Sequence, residues 1–270
     1  MLDVAIATHT PAGIERVAAQ NLPQMRGVRY IVSWQRHENE AIPEGLSERD
    51  DIEIHRFDGI GQSSNRNNAL CHCTGDIILI ADDDVVYTSE GLKALIDVFE
   101  ADMDVDLVTF IGNPQPGRVF PDRPVELKRR LPRNYHVCAI EIAIRHRVAK
   151  NMAFCMELGL GSPRFHGGED EMFLQSAIRR GLICRFYPVK VCNHPGESTG
   201  TKSRLTDANL RAAGCVIALT YPLSALLRLP MKAWRVSAKR QSGFFRALLH
   251  LAAGMIAAPG VLRRNRSILW

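Results

Sequence analysis

GDIILIADDDVVY, residues 75–87, is the stretch on which the reading of this chain turns. A small turn, Gly75-Asp76, leads into four apolar, mostly β-branched residues, Ile77 to Ile80, the pattern of a strand buried on both faces. The run stops on three adjacent carboxylates, Asp82, Asp83 and Asp84. Side chains alternate along a strand, so Asp82 and Asp84 are expected on one side and Asp83 on the other. Two carboxylates at a strand's C-terminal end suit one hard divalent cation and the phosphates bound to it. The plain alternative is a polar turn before a helix capped by Thr88-Ser89-Glu90. Three neighbouring acids repel one another unless something cationic offsets them.

Working outward, apolar runs alternate with helical patterns. Asp3 to Ala7 reads as a buried strand ending in Thr8-His9-Thr10-Pro11, with a helix from Ala12. Val28 to Trp34 is a second strand, Glu38 to Asp51 a polar loop, and Ile52 to Phe57 a third strand with alternating side chains. The segment from Asp58 to Leu70 is Gly- and Ser-rich, then helical. After the acidic strand, Ser89–Glu100 is a helix with Leu92, Leu95, Ile96 and Phe99 on one face. Asp106 to Gly112 is a strand, and 113–134 a long Pro- and Arg-rich loop. Val137 to Ile144 is a strand containing Glu141, followed by a helix from Arg147. A Gly-rich loop, Leu158 to Asp170, enters a helix to about Arg180. Leu182–Tyr187 and Val189–Cys192 close the sheet. This order predicts an α/β domain whose ligands sit at the strands' C-terminal ends.

The 270 residues suffice for one large core plus an appendage. Charge divides the chain unevenly. Residues 201–270 hold 12 of the 34 Lys and Arg but one of the 29 acids, Asp207. We therefore place a boundary near 203, giving a catalytic domain over 1–202 and a basic tail over 203–270. The asymmetry suggests an anionic partner. Seven scattered cysteines, an odd number, favour reduced thiols and a cytoplasmic protein. Cys71-His72-Cys73 lacks a second ligand pair and reads as packing. No secretory leader pattern precedes the first strand.

Four polar clusters fall on predicted loop ends of one sheet: Thr8-His9-Thr10; Gly61 to Asn67; Asp82-Asp83-Asp84; and His166 to Asp170, with His194 beyond the next strands. Together they describe a site for an anion and a metal, with a carboxylate able to act as base. Arg66, at a helix start after small residues, can cradle a diphosphate; alternatively it pairs with a nearby Asp. Glu169 and Asp170, after two glycines, can serve a reacting hydroxyl or merely complement a helix N-terminus. His194 is a candidate metal ligand or an exposed loop residue.

With these pieces in order, the chain resembles inverting family-2 glycosyltransferases of the GT-A fold, most like bacterial ones that build surface polysaccharides. The matching segments are VAIATHT, GQSSNRNNAL, IILIADDDVVY, FCMELGLGSPRFHGGEDEMFLQSAIRRGLICRFYP and NHPGESTG, spread over residues 3–200 in the family's order. The resemblance implies a Rossmann-like mixed sheet flanked by helices. It implies that Thr8 and Thr10 line the nucleotide pocket, Arg66 contacts the diphosphate or base, Asp82 and Asp83 help hold the donor, and Asp84, with Asp82 and His194, ligates Mn²⁺ or Mg²⁺. Asp170 is then the base and Glu169 orients it. The family's acid after the second strand is replaced by Trp34-Gln35-Arg36, so a UDP-sugar donor is only the default. The expected acceptor is a lipid-linked or polysaccharide hydroxyl.

The tail has two uncharged 16-residue runs, Ala212–Leu227 and Ala247–Leu262. Each is shorter than the roughly 20 apolar residues of a bilayer span. With their flanking Arg and Lys and with Trp234, Phe244, Phe245 and Trp270, they suit an amphipathic segment at the anionic inner face of the cell membrane. The alternative is packing on the catalytic domain or a partner subunit. Nucleic acid is not expected, since a phosphate-binding tail does not need apolar runs. Two rival functions remain at this level. One is a phosphatase of the haloacid-dehalogenase type with Asp82 as nucleophile; the other is a non-catalytic glycan- or membrane-binding subunit.

Overall fold

The computed structural model describes residues 1–112, 119–132, 135–193 and 205–269. Its elements are β1 (Leu2–His9), α1 (Pro11–Ala19), β2 (Val28–Gln35), α2 (Glu44–Ser47), β3 (Ile52–Phe57), α3 (Gln62–His72), β4 (Ile77–Asp82), β5 (Val86–Tyr87), α4 (Ser89–Ala101) and β6 (Leu107–Ile111). There follow β7 (Val125–Glu126), β8 (Ile142–Arg145), α5 (His146–Ala149), α6 (Glu169–Arg179), β9 (Cys184–Lys190), β10 (Cys192–Asn193), α7 (Asp207–Thr220), α8 (Ala225–Ala238), α9 (Phe244–Arg264) and α10 (Arg266–Leu269). Eight strands form one sheet in the order β3-β2-β1-β4-β8-β6-β9-β7. The pairs β3–β2, β2–β1, β1–β4 and β6–β9 are parallel. β8 runs antiparallel between β4 and β6, and β7 antiparallel to β9, so the sheet is mixed.

Burial explains the central strands. β1 is buried from Leu2 to Thr8, and β4 from Ile77 to Ala81. Strands covered on both faces need continuous apolar runs. β3, at the edge, keeps the half-exposed alternation its sequence predicts. Asp3 is the exception within β1. It is fully buried, and its carboxylate accepts from Arg29 Nε and Nη2 at 3.0 and 2.9 Å and from the amides of Thr74 and Gly75 at 2.7 Å each. It thereby ties the Gly75 turn to β1. A Cβ at Gly75 would lie 2.9 Å from the Asp3 carboxyl carbon, so glycine is needed for this approach.

The expected strand Val137–Ile144 is shorter than its apolar pattern. Ala139–Glu141 forms a 3₁₀ turn, and the strand begins at Ile142. The cause is Glu141, whose buried carboxylate accepts from the amides of Cys138 at 3.1 Å and Gly112 at 3.2 Å. The two closing strands are one strand, β9, running through Pro188, with a register shift against β6. The long loop contributes β7; residues 113–118 and 133–134 lie outside the described residues. All seven cysteines are free, as their scattering suggested.

The chain divides into two compact units, one comprising 1–60, 64–153 and 177–195, the other 61–63, 154–176 and 196–270. The second unit takes in the whole segment expected as the tail, from 196 onward, and adds 61–63 and 154–176 to it. Residues 154–176 belong with the tail because Cys155, Leu158, Phe165 and Met172 share an apolar cluster with Ala212, Cys215, Val216, Leu219, Ala258 and Val261.

Within that second unit the tail is a helical assembly. The Ala212–Leu227 run is not one helix. α7 ends at Thr220, Pro222 interrupts the backbone ladder, and the path bends by 116° into α8. α7 and α9 meet through glycines. A Cβ at Gly214 would lie 1.9 Å from the Leu251 carbonyl oxygen, and one at Gly254 1.9 Å from that of Arg211. Contrary to the span estimate from its uncharged run, α9 has 21 residues and is long and apolar enough by composition to cross a membrane. One of its faces, Ala247, Leu251, Gly254, Ala258 and Val261, is buried.

Candidate active site

The acidic strand end sits where parallel strands β2, β1 and β4 finish side by side. The register pairs Ala7 with Asp82 and Thr8 with Trp34. β4 ends at Asp82, and Asp83 and Asp84 lie in the following turn. Strand alternation therefore does not extend to Asp84, contrary to the sequence expectation, because the extended backbone that produces it has already ended.

Each acid has its own environment. Arg66, on α3 and only 3% exposed, grips Asp82: Nη2 donates to Oδ1 and Oδ2 at 2.9 and 2.8 Å, and Nε to Oδ1 at 3.2 Å. The ion pair anticipated as the alternative for Arg66 is thus present. Asp83 accepts from Thr8 Oγ1 at 2.5 Å and from Arg16 Nη2 at 2.9 Å. Burial pushes its carboxyl above the ordinary value of 3.8, and the Thr8 and Arg16 contacts oppose that rise. Asp84 is exposed. The charge of the triple-Asp run is therefore balanced chiefly by two arginines, Arg16 and Arg66.

A buried polar network holds α3 against the strand ends. Asn65 Nδ2 donates to the Thr8 carbonyl at 2.7 Å, Ser33 Oγ to Asn65 Oδ1 at 2.6 Å, and Asn68 Nδ2 to Ser33 Oγ at 2.8 Å. Buried polar groups satisfied in this way fix position tightly. Thr10, a β-branched residue, has φ 69°, and its carbonyl accepts from Trp34 Nε1 at 3.0 Å. Such a conformation in a non-glycine residue stores strain and persists only where the surroundings enforce it. Gln35 donates from Nε2 to the Gly59 carbonyl. Arg16 and Ser33 were not singled out from sequence, and Asn65 was named only as a member of the Gly61 to Asn67 cluster. Asn65 had a weak signal, standing next to Arg66; Arg16 had none, because its partner is 67 positions away.

The second unit carries the Glu-Asp helix. Gly167 and Gly168 have φ of 127° and 85°, and a Cβ at Gly168 would lie 2.6 Å from Val216 Cγ2. The next three residues, Glu169, Asp170 and Glu171, form the acidic first turn of α6, complementing its N-terminal dipole. Glu169 is buried and Asp170 partly so. A Cβ at Gly159 would lie 2.8 Å from Ser63 Oγ and 3.2 Å from Glu169 Cδ, so this glycine makes room for Glu169. Ser63 Oγ in turn donates to the Leu158 carbonyl at 2.7 Å. His194 lies outside the described residues.

For a divalent ion, Asp82 and Asp84 offer the hard oxygen donors that Mg²⁺ and Mn²⁺ take, with substrate phosphates completing the shell. Among the described residues no three His, Cys, Asp or Glu side chains form a metal cluster.

A mixed sheet of this order, with acids at the end of its central parallel strand, is the arrangement of the GT-A fold. Residues 38–157 match the model of glycosyl transferase family 2. TarS 1-349 of S. aureus in complex with UDP-GlcNAc shares the fold at TM-score 0.60 and 14% identity, over 98% of this chain and 91% of that one. The mannosyltransferase PcManGT of Pyrobaculum calidifontis, in complex with GDP-Man and Mn²⁺, does so at 0.54 and 16%, over 98% and 75%. No curated protein sequence matches the chain. At these identities the structural likenesses establish the fold alone. With the family match, the chain carries a glycosyl transferase family 2 segment over residues 38–157, set in a GT-A fold. The GT-A fold overturns the phosphatase alternative, which requires the haloacid-dehalogenase fold; a non-catalytic subunit would share this fold and is separated from an enzyme only by assay.

Proposed function

We propose that the protein is a metal-dependent, inverting glycosyltransferase that moves a sugar from a nucleotide-diphosphate donor to a hydroxyl of a lipid-linked or polysaccharide acceptor in surface glycan synthesis. The observation that carries this reading is the strand-end cluster, in which Thr8, Arg16, Arg66, Asp82 and Asp83 are prearranged beside an exposed Asp84. Thr8, Thr10 and Arg66 bind the nucleoside diphosphate, with Asp82 and Asp83 orienting it. Mn²⁺ or Mg²⁺, held by Asp82, Asp84 and His194, would neutralise charge on the departing diphosphate. Asp170 accepts the proton of the acceptor hydroxyl, whose oxygen bonds to the anomeric carbon from the face opposite the leaving group. The bond from that carbon to the diphosphate breaks, its electron pair leaves with the nucleotide, and configuration inverts. Glu169 orients the base. A UDP-sugar is the default donor; the complexes of the two structural relatives, with UDP-GlcNAc and GDP-Man, support a nucleotide sugar. The basic segment 203–270 supports a cytoplasmic enzyme held peripherally at the inner membrane face.

The decisive test is Asp170→Asn. With a panel of nucleotide sugars and Mn²⁺, the wild type should release nucleoside diphosphate and lose this activity in EDTA. The variant should bind donor with unchanged affinity by calorimetry but turn over at least about 100-fold more slowly. Turnover within a few-fold of wild type would eliminate Asp170 as the base.

A further inference from the structure

α8 has two apolar faces, and only one is used within the chain. Ala225, Leu229, Ala233 and Val236 are buried, in part against Leu210, Ala247 and Leu251. Leu223, just before the helix, together with Leu226, Leu227, Met231 and Trp234, are each at least 55% exposed. At about 100° per residue Leu227, Met231 and Trp234 share one stripe away from the buried face, Leu226 lies at the edge between the two, and Leu223 extends the exposed surface before the helix begins. Solitary exposed apolar residues are ordinary, whereas a helical stripe of large ones marks a surface awaiting an occupant.

The neighbouring charges say what that occupant is. Arg228, Arg235 and Lys239 follow one flank of the stripe, and Arg240 lies just past the end of the helix. None of the four has an acidic partner among the described residues. Elsewhere in the unit basic groups are matched: Arg246 with Asp207 at 2.6 Å and Arg264 with Glu157 at 2.6 Å. Burial lowers the Lys232 pKa, and the charge of Glu171 opposes that change. The Arg228 guanidinium lies 3.9 Å from the centroid of the Tyr221 ring, so a rigid aromatic platform holds it beside the stripe. The exposed stripe of α9, Phe245, Leu249 and Ile256, has no such company, since its neighbour Arg246 is already paired.

We propose that the outer face of α8 is the membrane-docking surface: Leu223, Leu226, Leu227, Met231 and Trp234 enter the headgroup–acyl boundary of an anionic bilayer while Arg228, Arg235, Lys239 and Arg240 meet its phosphates. This rests on the reading that the tail lies at a membrane. It narrows which part does so: α7 and α9 bury one face each against the other, and the short helix between them carries the contact. Leucines and a tryptophan backed by unpaired basic side chains are the composition of an interfacial helix.

The test is flotation of the full-length protein with vesicles of equal parts phosphatidylglycerol and phosphatidylcholine, and with phosphatidylcholine alone. Wild type should bind the anionic vesicles and be released by salt. Leu227→Glu/Trp234→Glu should weaken binding about 100-fold or more. Arg228→Gln/Arg235→Gln should weaken it about 25-fold, at about fivefold per basic residue. Leu249→Glu/Ile256→Glu on α9 should bind like wild type. Brominated lipid should quench wild-type tryptophan fluorescence, and Trp234→Phe should abolish the quenching. Donor hydrolysis in solution should be unchanged in all, which separates this surface from the catalytic reading. Vesicle binding that survives the α8 variants but fails in the α9 variant overturns α8 while leaving the membrane reading intact. No binding by wild type overturns both. Protein that resists alkaline carbonate extraction from cell membranes overturns surface docking in favour of α9 crossing the bilayer.

Discussion

Two glycines in one helix should respond oppositely to the same substitution. Gly254 on α9 is buried, and its added Cβ would meet Arg211 O at 1.9 Å, Arg211 C at 2.8 Å and Cys215 N at 2.9 Å. All three atoms are backbone of α7, so no side chain can swing away. Ordinary contact begins at 3.4 Å, so α7 and α9 must part by roughly 1.5 Å at this crossing. A gap of about 0.5–1 Å already forfeits a quarter to a half of each contact's attraction. The loss spreads over the apolar residues on both helices, among them Leu210, Ala212, Val216, Leu251 and Ala258. Overpacking usually costs about 1–3 kcal/mol, and an unyielding backbone neighbour places Gly254→Ala at or above the top of that range. Gly260→Ala meets only the tip of the flexible Arg264 side chain, at 3.2 Å. There, helix propensity should stabilise by up to about 1 kcal/mol. Urea unfolding followed by far-ultraviolet circular dichroism reads both. A Gly254→Ala protein within about 0.5 kcal/mol of wild type would refute the close crossing of α7 and α9.

Other outcomes follow from single contacts. Gly168→Ala should destabilise by about 1–3 kcal/mol, combining positive-φ strain with the Val216 clash; Val216→Ala in the same chain should recover the clash part, measured as a double-mutant cycle. Asp3→Ala should cost about 3–5 kcal/mol in urea titration, since it strands Arg29 and two amides; a cost under about 1 kcal/mol would contradict the buried pair. His72 stacks on His55 at 3.5 Å between centroids, and burial, then His55, lowers its pKa below the ordinary 6.5. As pH falls, the unfolded chain takes this proton first. Stability should therefore be full above about 6.5 and decline as pH drops toward the folded value, and His72→Asn should flatten the urea midpoint over that window.

Much of the sheet was legible because its signals are local. Continuous β-branched runs at Val4–Ala7 and Ile77–Ile80 can satisfy their burial only as central strands, and three acids ending one of them mark a ligand edge wherever the strand sits. The Glu141 turn was not legible, since an apolar run conceals that one carboxylate inside it caps amides at Cys138 and Gly112. The Arg66–Asp82 pair was foreseen only as one of two options, because a guanidinium serves a carboxylate or a phosphate equally well by type.

The sequence alone determined the alternation of strand and helix, the family segments in their order and the basic character of the tail. These depend on residue type, spacing and charge, which need no partner. Tertiary structure decided that β8 inserts antiparallel between β4 and β6, that 154–176 packs with the tail, and that Leu226 and Leu227 of α8 stay uncovered while Leu229 is buried. Each depends on which distant surface a face meets, and an apolar residue carries no mark of the partner that will cover it.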